Sequence, residues 1–305
     1  MWRGWGAGGA AQGQGRDEPG AGVGRAGAGL VGSPSMTGGA PQGRIAARFA
    51  RLAAEGRTGF IPYVTAGYPT LEHTRALVAG LGEAGADVIE LGIPFSDPMA
   101  DGPTIQRSSQ RALDQGTTVD DVFAILAELR ESSEVPVVIF SYLNPVHSRG
   151  AETFVRQAAE AGADGILPLD LPLGADPALE ASLEACPLDL VRLVAPTTDA
   201  ARVGEIARAS QGFVYYIART GVTGARRGLR GELAREAGAV RAVSPCPVAV
   251  GFGVSTPEHA RAVGAAADAV VVGSALVDRL DEGGVSGALE LARELRAALD
   301  GVRPG

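Results

Sequence analysis

The chain has 305 residues, 46% of them hydrophobic and 20% charged, with a formal net charge of −8. That is room for a large core, and the acidic balance argues against a nucleic-acid binder, whose surface would be basic. No run approaches the roughly 18 apolar residues of a membrane span, so a protein of the cytoplasm, with neither membrane nor nucleic acid as partner, is expected.

Residues 1–42 are Gly-rich, with Ala, Pro, Gln and Ser and little apolar periodicity. Such a segment buries too little surface to offset its ordering entropy, and a disordered low-complexity extension is expected there. It has no apolar stretch of the signal-peptide kind. Met36, just before the first helical pattern, is a candidate true start. The catalytic domain is expected to span 43–305.

From Arg44 short apolar runs alternate with helical segments. The runs are FIPYVTAG from Phe60, DVIELGIPF from Asp87, VPVVIFSYL from Val135 and DGILPLDLP from Asp164. LDLVRLVAP from Leu188, GFVYYIART from Gly212, CPVAVGFGV from Cys246 and DAVVVGSAL from Asp268 complete the set. Helices are expected after Pro69 and Pro103, over 117–130, and at the end over 285–299. Continuous apolar strands separated by amphipathic helices mean parallel strands covered on both faces. Eight such units over about 250 residues fit a closed (β/α)8 TIM barrel. The alternative is an open doubly wound sheet, weakened by the lack of GxGxxG after the first strand.

All 27 Lys-or-Arg positions are Arg, so no side chain can form a Schiff base with a carbonyl or with pyridoxal phosphate. His73, His147 and His259 are scattered, and no metal site is expected. Cys186 and Cys246 fit no redox or metal spacing and read as small buried fillers.

Barrel chemistry sits at the C-terminal ends of the strands. Glu90 lies there inside an otherwise apolar run. Read alone, it is either a carboxylate satisfied by neighbouring backbone or a buried acid with a raised pKa. In the loop that follows, Asp101 serves either the start of the next helix or, with Glu90, the acid/base chemistry of one mouth. Gly-containing loops after strands six, seven and eight bring Gly224, Gly253, Gly273 and Ser274 into play. Glycine admits a close anion, and a helix N-terminus offers it free N–H groups, so a small phosphorylated substrate is expected.

The block ELGIPFSDPMADGPTIQ over 90–106 closely resembles the signature of the tryptophan synthase alpha chain family. So do FIPYVTAGYP from Phe60, YIARTGVTG from Tyr216, GFGVS from Gly251 and GSA from Gly273. The likeness is collinear from about Arg44 to the C-terminus. It implies a lyase that splits indole-3-glycerol phosphate into indole and glyceraldehyde 3-phosphate. Glu90 would be the general acid/base, Asp101 the partner of the indole N–H, and Tyr215 an active-site tyrosine. Tyr63, where the family commonly has Phe, would border the indole. Thr223, Gly224, Gly253, Gly273 and Ser274 would hold substrate and phosphate. The resemblance further implies no cofactor in this chain, with pyridoxal phosphate on a separate beta chain in an alpha-beta-beta-alpha heterotetramer. The partner surface would include Pro94, Asp97 and Pro98. Residues 220–231 read equally as a closing lid and as a loop of solvated arginines. The competing readings are a phosphate-binding barrel isomerase or epimerase, a subunit that only activates its partner, and a stand-alone indole-releasing lyase.

Overall fold

A computed structural model describes residues 43–218, 227–251 and 253–303, with 227–231 described by backbone alone. The first quarter comprises α1 (Arg44–Glu55), β1 (Gly59–Thr65), α2 (Leu71–Glu83), β2 (Ile89–Gly92) and α3 (Pro103–Asp114). There follow α4 (Val119–Arg130), β3 (Val137–Ser141), α5 (Leu143–Arg149), α6 (Ala151–Glu160), β4 (Gly165–Pro168) and α7 (Pro177–Glu184). Next come β5 (Asp189–Leu190), β6 (Arg192–Val194), α8 (Ala200–Ala209), β7 (Val214–Ile217) and α9 (Arg227–Val243). The chain closes with β8 (Val248–Gly251), α10 (Pro257–Gly264), β9 (Ala269–Val272) and α11 (Ser274–Leu299).

Every strand pair is parallel, in the order β5-β4-β3-β2-β1-β9-β8-β7-β6. β5 and β6 are separated by Val191 alone, whose N–H still reaches the Ile166 carbonyl of β4 at 2.9 Å. They are two halves of one stave, the first pairing with β4 and the second with β7, so nine segments make the expected eight-stranded barrel. β1, β2, β3, β4, β8 and β9 are buried at every residue. Helices outside and packed side chains inside leave no wet face, which is why these strands carry unbroken apolar runs rather than alternation.

Local chemistry sets the helix ends. Thr118 and Asp121 form a reciprocal capping box at α4, and Pro103 occupies the first turn of α3. α11 is longer than the expected 285–299 because two helices meet at Gly284, which is non-helical at φ 62°. Cys186 and Cys246 are both free and partly buried, packed against the core as small apolar side chains.

The N-terminal end of the barrel is closed by α1, whose Ile45, Phe49 and Leu52 are buried, and by three aspartates. Asp87 accepts from Phe60 N–H and pairs with Arg296 and Arg48. Asp164 accepts from Val137 N–H and pairs with Arg130 and Arg44. Asp268 accepts from Val248 N–H and pairs with Arg241. Each ties the start of its own strand to the start of the neighbour. The opposite end is thereby left to chemistry.

Candidate active site

Glu90 is the second residue of β2 and is 0% exposed. Among the described residues neither carboxyl oxygen has a hydrogen-bond partner, which sets aside the backbone-satisfied alternative. Burial pushes its pKa up to about 8. At neutral pH it is a protonated acid with an unspent proton, the state a general acid requires.

Asp101 reaches the mouth from the loop between β2 and α3. Its own N–H donates to Pro98 O at 3.0 Å, and Gln106 Nε2 donates to Asp101 O at 2.9 Å, which folds the loop back on the first turns of α3. Asp101 is not the cap of α3: Gly102 holds that position and no side chain caps the helix. The carboxylate instead accepts a 2.9 Å hydrogen bond from Tyr142 Oη. Burial raises its pKa to about 6, and the Tyr142 bond works against that rise.

Two tyrosines wall the pocket. Tyr63 on β1 lies in register with Glu90 and packs edge-on to Phe140, ring centroids 4.8 Å apart. Burial first, then the charge of Asp101, raises its pKa. Its hydroxyl accepts from Thr65 Oγ1 at 3.3 Å, and Thr65 Oγ1 is 2.7 Å from Ser108 Oγ. Tyr215 on β7 is held neutral by burial and, next, by the charges of Glu90 and Asp101. The charges of Glu90 and Asp101 both act on Tyr63 and on Tyr215, so the structure brings these four side chains together.

Each tyrosine needs a missing side chain on the next strand. A Cβ on Gly92 would stand 2.3 Å from the Tyr63 hydroxyl, and one on Gly251 would stand 2.1 Å from the Tyr215 hydroxyl. Sequence reasoning overlooked Gly92, Gly251 as a cradle, and Tyr142. The only signal for the glycines is their place two residues past an inward position, on the face a ring must cross.

On the other side of the mouth, Gly273 is the N-cap of α11 and Ser274 its first residue. α2, α4, α7, α8 and α10 are capped by Thr or Asp side chains, but the Gly273 cap offers none. The first amides of α11 thus remain available to an anion. The Tyr63 ring lies 3.4 Å from where a Gly273 Cβ would be, which sets this helix end beside Tyr63. Gly253 is exposed and turns at φ 68° after β8. Thr223, Gly224 and the greater part of 220–231 lie outside the described residues.

Such a mouth belongs to an acid/base enzyme of the (β/α)8-barrel class working on a small anionic substrate. The family profile for the tryptophan synthase alpha chain matches residues 49–300. A tryptophan synthase alpha chain of Citrifermentans bemidjiense is 46% identical over 262 residues, covering 86% of this chain and 97% of that one. Another, of Caulobacter vibrioides, is 46% identical over 269 residues, covering 86% and 98%. Among solved structures, tryptophan synthase subunit alpha of Legionella pneumophila superposes with TM-score 0.79 at 37% identity, covering 85% and 99%. Mycobacterium tuberculosis tryptophan synthase gives TM-score 0.78 at 38% identity, covering 86% and 99%. The chain belongs to the tryptophan synthase alpha chain family, lyases of tryptophan biosynthesis whose reaction is the cleavage of indole-3-glycerol phosphate. The isomerase or epimerase reading falls with that membership.

Proposed function

We propose that Glu90, Asp101 and Tyr215 carry the cleavage. The Glu90 carboxyl delivers its proton to indole C3. Positive charge then develops on the indole nitrogen, where the Asp101 carboxylate stabilises it. The Glu90 carboxylate takes the proton of the adjacent glycerol hydroxyl, the C–C bond to C3 breaks, and its electrons return to the ring. Indole and glyceraldehyde 3-phosphate result, and Glu90 is again protonated. Tyr215 and Tyr63 confine the indole between them. Gly273, Ser274 and Gly253, with Thr223 and Gly224, bind the phosphate through backbone N–H groups.

The observation that carries this reading is Glu90, wholly buried and, among the described residues, without a partner for either oxygen. A group left in that condition is retained for what it does rather than for stability. The chemistry asks for no cofactor in this chain, and with no lysine in the sequence a pyridoxal phosphate step falls to a beta chain. We place the protein in the cytoplasm as the alpha part of an alpha-beta-beta-alpha assembly, its barrel domain beginning near residue 43. Among the described residues no helix is long and apolar enough to cross a membrane.

The test is indole release from indole-3-glycerol phosphate by the purified chain, alone and with a cognate beta chain. Glu90→Gln keeps the shape of the side chain and removes the transferable proton. Its kcat should fall at least about a thousandfold, within the range of acid/base and charge effects together, while circular dichroism stays native. Cleavage by the variant at the parent rate would end the assignment.

A further inference from the structure

Tyr142 follows β3 directly, and its hydroxyl makes two bonds of opposite sense. Ala100 N–H, which can only donate, reaches the phenolic oxygen at 3.0 Å. The single phenolic proton therefore goes the other way, to Asp101 Oδ2 at 2.9 Å. The ring cannot swing away: it stacks on Phe95 with centroids 4.9 Å apart and planes inclined 29°. It is also buried, at 5% exposure. One residue at a strand end thus grips the loop at Phe95, Ala100 and Asp101.

We infer that Tyr142 is a positioning residue for the cleavage, fixing the Asp101 carboxylate in the mouth and holding it in its charged form by donating to it. This rests on the reading that Asp101 acts as an ionised carboxylate. A neutral carboxyl would offer the indolium nitrogen no charge, so a donor that favours the anion serves catalysis without touching substrate. Loss of that donor leaves burial to act on Asp101 alone, and burial favours the protonated acid. Among the described residues, the other titratable groups facing Asp101 are Tyr63 from β1 and Tyr215 from β7. Glu90 of β2 neighbours both of those tyrosines, and Asp170 faces Tyr142. None of these is a cation that could replace the lost bond.

Tyr142→Phe removes the proton and keeps the ring that stacks on Phe95. The kcat/KM for indole-3-glycerol phosphate would be followed from pH 5 to pH 9 for the parent chain, Y142F and D101N. In Y142F the acid limb should move up by about one pH unit, a roughly tenfold loss at pH 5.5 that shrinks to under about twofold near pH 8. A purely structural tyrosine would lower activity by the same factor at every pH. That outcome, or an unmoved limb, overturns the inference. An active D101N would overturn the reading of Asp101 itself, whereas an inactive D101N with an unmoved Y142F limb would overturn the role of Tyr142 alone. A carbon-13 NMR titration of the Asp101 carboxyl in parent and Y142F follows the same shift without turnover: an identical midpoint refutes the proposal.

Discussion

Glu90 shows at the scale of one residue how function and stability oppose each other. In the unfolded chain its carboxyl ionises near 4.5, and in the fold burial moves that to about 8. Well below pH 4.5 the residue is neutral in both states, and ionisation adds nothing to the cost of burying it. Between the two values the unfolded state releases its proton and the folded state keeps it, so stability falls steadily as pH rises through that window. Each tenfold change in proton affinity is worth about 1.4 kcal/mol, which puts the full effect on the order of 5 kcal/mol. Glu90→Gln does not titrate. Urea unfolding should therefore show the variant gaining on the parent from pH 5 to pH 8, by several kcal/mol at the upper end. A gap that stays constant with pH would mean that Glu90 is solvated or paired in solution. The residue was legible in sequence because one carboxylate interrupts an apolar run. Tyr142 was not: a tyrosine next to a strand end is ordinary, and its worth lies in a bond to a loop 41 positions away. Gly92 was hidden in the same way, since only the strand register shows which ring crosses it.

Secondary-structure elements tell a different story, because the barrel is built from repeated parts. The pentapeptide Glu-Ala-Gly-Ala-Asp occurs at 83–87 and again at 160–164, each time between a helix and the strand it precedes. Gly85 and Gly162 adopt φ of 95° and 96°, and a Cβ on either would strike Arg296 or Arg130 at 2.4 and 2.5 Å. Those arginines are the partners of Asp87 and Asp164. The repeat is thus a complete device: a left-handed turn, a guanidinium laid over it, and an aspartate clamping two strands. The eight strands could be read from hydrophobic runs alone, since parallel strands covered on both faces leave no other trace. The interruption at Val191 could not, as it leaves the apolar pattern unchanged, whereas Gly283 and Gly284 mark the break after which the last helix is expected. Asp164 should be the costly residue of its clamp. Its side chain is 6% exposed and accepts from two arginines and a backbone N–H. Asp164→Asn leaves buried positive charge unmatched, at a cost of about 3–5 kcal/mol. Glu160→Gln breaks a pair that is 59% and 61% exposed and should cost under about 0.5 kcal/mol. Equal denaturation midpoints for the two variants would show that the clamp adds nothing.

For the whole molecule, the question is where the cooperative unit begins. The barrel closes through β1 and β9, paired from Gly59 to Pro62, and α11 packs back on this seam, its Arg296 reaching Asp87. At the N-terminal opening the cover is α1, which places Ile45, Phe49 and Leu52 at 0%, 6% and 2% exposure. Its first residue, Arg44, bridges Glu134 and Asp164 and so engages the clamp of β4. Residues 1–42 are Gly-rich, and their few large apolar residues, Trp2, Trp5 and Leu30 among them, follow no period that would build such a cover. Removing them, so that the chain starts at Gly43, should leave the melting temperature and the rate of indole release unchanged. Removal through Glu55 should act very differently. Three large apolar side chains at about 1.5–3 kcal/mol each, together with the opened end, approach the whole stability of about 5–15 kcal/mol typical of a domain. That shorter chain should not melt cooperatively, and a fluorescent dye for exposed apolar surface should bind it. Loss of activity on the first cut would make residues 1–42 part of the working enzyme, and a cooperative melt after the second would show that α1 is dispensable to the barrel.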